Sequence, residues 1–127
     1  MITPVNSIFP NMKYFTPSEF VCKCGCGLLN MKPVFLWKLD QAREHANIVF
    51  GVTSGCRCKE HNKNEGGKDT SEHLTGDAAD IKTSNSRERF KIVMAALYTG
   101  IIRIGIGKDF VHLGDGRNKN KMVMWTY

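Results

Sequence analysis

The chain has few of the features that would place it in a membrane, a fibre or a repeat array. Its 127 residues hold no apolar run near the ~20 needed to span a bilayer, no internal repeat and no low-complexity stretch. The opening Met1-Ile2-Thr3-Pro4-Val5-Asn6 lacks a basic segment followed by an apolar one. No secretory leader is therefore expected, and synthesis is expected to be cytoplasmic. Aromatic residues make up only 9%, and the 18 lysines and arginines are scattered and form no basic cluster interleaved with aromatics. A single-strand nucleic-acid surface needs that interleaving, so nucleic acid is not an expected partner. The net charge of +6 instead suits an anionic polymer such as a cell-envelope component. Neighbouring cysteines are separated by single residues, which fits the two-to-four-residue gaps of zinc ribbons poorly. The five cysteines fall in Cys22-Lys23-Cys24-Gly25-Cys26 and Cys56-Arg57-Cys58, and a cytoplasmic chain keeps them reduced. Buried structural thiols are the plain expectation. The alternative is a metal module of Cys22, Cys24, Cys26 and Cys58 that docks a protein or nucleic acid.

What is present suits one α+β domain, monomeric by default. Residues 1–13 read as an extended arm and 14–127 as the folded domain. Thr16-Pro17-Ser18-Glu19 has the form of a capping box opening a single short turn. Lys32 to Ala46 reads as a helix opened by Pro33, with Val34, Trp37 and Leu39 on its apolar side and Asp40, Glu44 and a solvated His45 on its charged side. Ile48 to Ser54 is β-branched and predicts a strand. A polar loop follows from Cys56 to Thr70, and Ala78 to Ile81 predicts a second strand. Ser86 caps a second long helix ending at Gly100, with Phe90, Val93, Met94 and Leu97 as its buried side. Ile102–Ile106, Phe110–Leu113 and Met122–Tyr127 complete a mostly antiparallel sheet against which the two helices pack.

The chemistry concentrates in Ser71-Glu72-His73-Leu74-Thr75-Gly76-Asp77-Ala78-Ala79-Asp80 and Asp109-Phe110-Val111-His112. His73, Asp80 and His112 offer two nitrogens and one oxygen, the donor set of a catalytic zinc with an open fourth position. Neighbouring antiparallel strands bring side chains within ~5 Å, so the set can converge. Histidines that merely satisfy a core are the alternative. Asp109 is left over as a candidate proton acceptor, or as a strand-end residue paired with Lys108 or Arg103.

Ser71-x-His73-x-x-Gly76-x-Ala78-x-Asp80 followed by Asp109-x-x-His112 closely resembles the signature of the M15 peptidases. These are zinc D-alanyl-D-alanine carboxypeptidases, D-Ala-D-Ala dipeptidases and phage L-alanyl-D-glutamate endopeptidases. Ser54-Gly55-Cys56-Arg57, Glu60-His61-Asn62, Gly66-Gly67, Phe20-x-Cys22-x-Cys24-Gly25-Cys26-Gly27 and Ile104-Gly105-Ile106-Gly107 extend the match from Tyr14 onward. The resemblance implies a hedgehog/DD-peptidase-like fold and one catalytic zinc on His73, Asp80 and His112. It also implies Asp109 as general base, Arg57 facing the substrate's carboxylate or carbonyl, and Ser71 near substrate. His61 is expected to be structural and Asp77 solvated.

The implied substrate is the peptidoglycan stem peptide, cut on the cell wall after release in a phage or prophage setting. A non-catalytic wall-binding or phage structural module that keeps its zinc is the other reading. There are two departures. Cys56 stands where relatives commonly carry tyrosine. Gly114 stands where many carry an aspartate two residues after the histidine, so support for His112 must come from elsewhere, with Asp115 or a backbone carbonyl as candidates.

Overall fold

The computed structural model describes residues 11–116 and 118–127. The expected arm over residues 1–13 lies outside them except for its last three residues. The chain enters the fold on Asp40. This carboxylate is only 6% exposed and accepts the backbone N–H groups of Lys13 at 2.9 Å and Tyr14 at 3.0 Å. Asp40 thus belongs to the buried side of its helix and not to the charged side. The capping box at Thr16 and Glu19 is formed, and it opens a single 3-10 turn, Pro17–Phe20.

Helix α1, Pro33–Ala46, begins on proline, which fits the first helical turn because its missing N–H has no partner there anyway. It buries Phe35, Leu36, Leu39 and Ala42. Helix α2, Lys59–Asn64, lies inside the segment expected to be all loop, with Cys58 at its N-cap. Helix α3, Ser86–Tyr98, is capped by Asn85 and not Ser86. The Asn85 side chain accepts the Glu88 N–H at 2.9 Å.

The faces of the two long helices differ from expectation. Helix α3 buries Ile92, Ala95 and Ala96, while Phe90, Met94 and Leu97 are exposed, as are Val34 and Trp37 of α1. Small residues let α3 sit close against α1 and the sheet, and that close packing turns the larger side chains outward.

Five strands form the sheet: β1 Val52–Ser54, β2 Ala78–Lys82, β3 Arg103–Ile106, β4 Phe110–Gly114 and β5 Val123–Thr126. The spatial order is β1-β2-β4-β3-β5, and every pairing is antiparallel except β3 with β5. The parallel edge follows from the connection. Gly114 and Val123 both pair with Arg103, so β4 ends and β5 starts at the same end of β3. Strand alternation divides the sheet's faces. Ala79, Ile81, Ile104, Val111 and Leu113 join the helices in the core, which leaves Asp80, His112, Gly105 and Trp125 in one row across the other face.

Asp40→Ala would leave the Lys13 and Tyr14 amides without their buried acceptor, at a cost of about 1–3 kcal/mol. Urea unfolding should show a lower midpoint at unchanged slope. A loss under about 0.5 kcal/mol would show that water replaces the carboxylate.

Candidate metal centre

Registry and one turn assemble the site. Asp80 on β2 is directly opposite His112 on β4. His73 comes from the 3-10 turn Glu72–Thr75, and the chain folds back from that turn to β2 through Gly76, whose φ is +74°. At Gly76 a side chain would be strained by the backbone angle and would also meet the Asn30 carbonyl at 2.0 Å.

His73 Nε2 lies 3.3 Å from Asp80 Oδ1, and His112 Nδ1 lies 2.9 Å from the same oxygen. All three residues are buried. Their outer contacts set the tautomers. His73 Nδ1 is 2.8 Å from the Gly55 carbonyl, which can only accept, so Nδ1 carries the hydrogen. His112 Nε2–H donates to Glu72 Oε2 at 2.6 Å. Both imidazoles therefore turn a lone pair toward the Asp80 oxygen. With both imidazoles neutral, three acceptors meet at one point, and a metal ion or a proton on an imidazole must join them. Donors held about 2.0–2.1 Å from a tetrahedral zinc are about 3.4 Å apart, close to the His73–Asp80 separation and wider than the 2.9 Å between His112 and Asp80, which a bound ion would open slightly. The chosen ligand atoms all lie within 4.8 Å of one another.

Free of metal, the cluster holds a proton in the ion's place. Burial alone would raise the Asp80 pKa, but hydrogen bonds from His112 and His73 outweigh it and hold the carboxyl far below its usual range. Glu72 is likewise lowered against its burial, by His112, the Gly116 N–H and Arg103. His112, which burial would lower, is raised by Asp80 and Glu72.

Glu72 is the residue that the spacing of ligands does not reveal. Besides His112, its carboxylate accepts Arg103 Nε–H at 2.9 Å and the Gly116 N–H at 2.8 Å. It lies directly over Gly114, where an added Cβ would come within 2.1 Å of Glu72 Oε2. The support that an acid at position 114 would give His112 comes instead from Glu72, across 40 residues of sequence. The signal in the sequence is a pair: an acid between Ser71 and His73, and a glycine at 114. Asp115 is not the partner of His112, because it pairs with Lys38 at 2.9 Å.

Arg57 reaches the cluster as a partner of Asp80. Its Nη2 is 3.4 Å from Asp80 Oδ2, while Nε–H donates to Ser54 Oγ at 3.0 Å and Nη1 to Asn62 Oδ1 at 3.3 Å. The Ser71 hydroxyl accepts the His73 N–H at 3.3 Å and so caps the turn. Asp109 is exposed on the β3–β4 turn, where its carbonyl accepts the Thr83 N–H. It stands three residues along the strand from His112, about 10 Å between Cα atoms at about 3.3 Å per residue. Its carboxylate is not among the clustered donors.

His61 lies in α2 outside the cluster, and Cys56 and Cys58 do not join it. Asp77 is buried and accepts the Thr75 hydroxyl, contrary to a solvated role. Trp125 borders the site with its ring 5.4 Å from that of His112. Partial burial, together with the Asp80 and Glu72 carboxylates, pushes the Tyr127 hydroxyl up.

The fold and the cluster define a one-domain α+β protein with a buried two-histidine, one-aspartate set that could hold a metal ion. A family model described as Peptidase M15 matches residues 13–114. The chain belongs to the M15 peptidase family and is a peptidase. No curated protein matches it.

Glu72→Gln should weaken zinc binding about 10–100-fold by titration calorimetry. Adding Gly114→Asp should deepen the loss, because the side chain at position 72 already fills the space that a Cβ at 114 would need. Affinity unchanged in Glu72→Gln would remove Glu72 from the site. A pH dependence follows as well. The raised His112 contributes stability that is full below its ordinary 6.5 and lost as pH rises through its folded value. The depressed Asp80 and Glu72 contribute stability that is full above their ordinary 3.8 and 4.5 and lost as pH falls through their folded values. Chelated protein should therefore melt highest between pH 4.5 and 6.5, and zinc should abolish the alkaline decline by replacing the proton. An alkaline decline of equal size with and without zinc would contradict this.

Proposed function

We propose that the chain is a monomeric zinc peptidase that hydrolyses a peptide bond in the stem peptide of bacterial peptidoglycan, in a phage or prophage lysis role. The observation that carries the reading is the convergence of three lone pairs, from His73 Nε2, Asp80 Oδ1 and His112 Nδ1, on the open face of the sheet. Membership of the M15 family supplies the reaction class, and the charge of +6 favours an anionic wall. No helix among the described residues is long and apolar enough to cross a membrane.

Bound there, zinc supplies a Lewis acid for the scissile carbonyl and brings the pKa of a bound water to about 7. The residues have separate tasks. His73, Asp80 and His112 would hold the ion. Glu72 keeps the proton of His112 on Nε2, which leaves Nδ1 free to bind. Arg57 fixes the second Asp80 oxygen, and two of its five N–H groups have no partner among the described residues and can serve a substrate carboxylate or carbonyl. Asp109 is assigned the proton-accepting role on the family resemblance alone. That role requires its carboxylate to come within about 3 Å of the water when substrate is bound.

The position of Asp109 also favours a second reading, a zinc-bearing module that binds the wall without cutting it. A site without a base at the metal has less need of the open fourth position.

Purified cell wall digested with zinc-loaded protein should yield new amino termini. New glutamate termini identify an L-alanyl-D-glutamate endopeptidase, and released D-alanine a D-alanyl-D-alanine carboxypeptidase. Asp109→Ala should keep its zinc and lose about 10²–10⁴ in rate. A variant as fast as wild type would move the base elsewhere. A zinc-loaded wild type that cuts neither wall nor stem peptides would replace the enzyme with the binding module.

A further inference from the structure

The cysteines lie outside the peptidase site, yet four of the five meet. The Sγ atoms of Cys22, Cys24, Cys26 and Cys58 all lie within 4.8 Å of one another. Cys22 and Cys24 are 3.4 Å apart, and Cys24 and Cys58 are 3.7 Å apart. A disulfide would bring a pair to about 2.05 Å. Four thiolates about 2.3 Å from one tetrahedral ion are about 3.8 Å from each other. The Cys24–Cys58 separation matches such a shell, the Cys22–Cys24 separation is somewhat shorter, and all four sulfurs are near enough to share one ion.

Single-residue gaps do not prevent this, because residues 23–26 form a turn and not a strand. Gly25 has φ of +89°, and the Cys22 N–H to Leu28 carbonyl bond at 2.9 Å closes the loop. The turn gathers three sulfurs, and Cys58 supplies the fourth from the residue before α2. Backbone N–H groups already serve the sulfurs. Cys58 N–H donates to Cys22 Sγ and His61 N–H to Cys58 Sγ, each at 3.4 Å, the kind of outer contact that orients metal ligands. The odd cysteine is accounted for as well. Cys56 is fully buried, and its sulfur takes the Asn30 N–H at 3.2 Å.

We infer that Cys22, Cys24, Cys26 and Cys58 form a closed, four-thiolate zinc site with a structural role. The set leaves no open position, as in structural zinc centres. Its ion joins the 22–27 loop to the segment carrying Arg57, the immediate neighbour of Cys58. It thereby steadies the guanidinium that holds Asp80.

The test uses the full chain purified anaerobically and dialysed against zinc. Metal analysis should give two zinc ions per chain, falling to one in His73→Ala/His112→Ala and to one in Cys24→Ser/Cys26→Ser. Cobalt loaded into the histidine double variant should show a thiolate-to-cobalt charge-transfer band. A readout on the unaltered protein covers a cysteine variant that fails to fold. Cys24 and Cys26 are exposed and open to an alkylating reagent, and because contacts with Cys26 and Cys22 push the Cys24 thiol up to about 12, Cys26 carries the readout. As a zinc ligand it should be protected, with alkylation at least tenfold faster after chelation. One zinc per chain in the wild type, alkylation indifferent to chelator, iron in place of zinc, or a disulfide among these four cysteines would each overturn the inference.

Discussion

Asp80 Oδ1 faces two imidazole nitrogens whose partner nitrogens are already committed, one to a carbonyl and one to a carboxylate. Everything else at the site follows from keeping those three lone pairs aimed at one point. Acceptors so placed repel one another unless a cation joins them, and burial in a poorly polarisable setting sharpens both the repulsion and the reward for relieving it. The chain provides that aim through contacts that are themselves buried and paired. Arg57 holds the other Asp80 oxygen, and Arg103 with the Gly116 amide holds Glu72.

The fold is the means of holding this arrangement. A sheet with its core face packed on two helices leaves the opposite face free to carry polar groups in register, and strand pairing fixes Asp80 against His112. The loop ligand, His73, is positioned less by strand registry than by local devices: the Ser71 cap, the left-handed Gly76 and the Gly55 carbonyl. The four-cysteine cluster lies beside that loop system and ties its far end to the N-terminal segment. The two clusters thus bracket Arg57, one through Asp80 and the other through Cys58.

Much of this is legible in residue order. The ligand triad stands in short segments with turn residues between, and the spacing of neighbouring strands is enough to let it converge. Both long helices also announce themselves by proline, periodicity and glycine. Partnerships across long separations are not legible. Glu72 reads as one more loop acid until β4 brings His112 and Gly114 beneath it. Asp40 reads as a solvated helix residue until the chain's entry lays two amides on it. The α3 face misleads for a different reason. Large apolar side chains suggest the buried side, but close packing selects alanines and leaves Phe90, Met94 and Leu97 outside. Helix α2 is hidden because its polar residues carry no periodic signal. The cysteines mislead if the backbone is taken as extended, where Gly25 instead makes a turn.

The central claim is that His73, Asp80 and His112 together hold one zinc through Nε2, Oδ1 and Nδ1. Anomalous diffraction at the zinc edge from crystals of the zinc-loaded protein tests it most directly. The account predicts a peak about 2.0–2.2 Å from each of those three atoms. No anomalous density among these residues in zinc-loaded crystals, or a peak bound through His112 Nε2 in place of Nδ1, would contradict it.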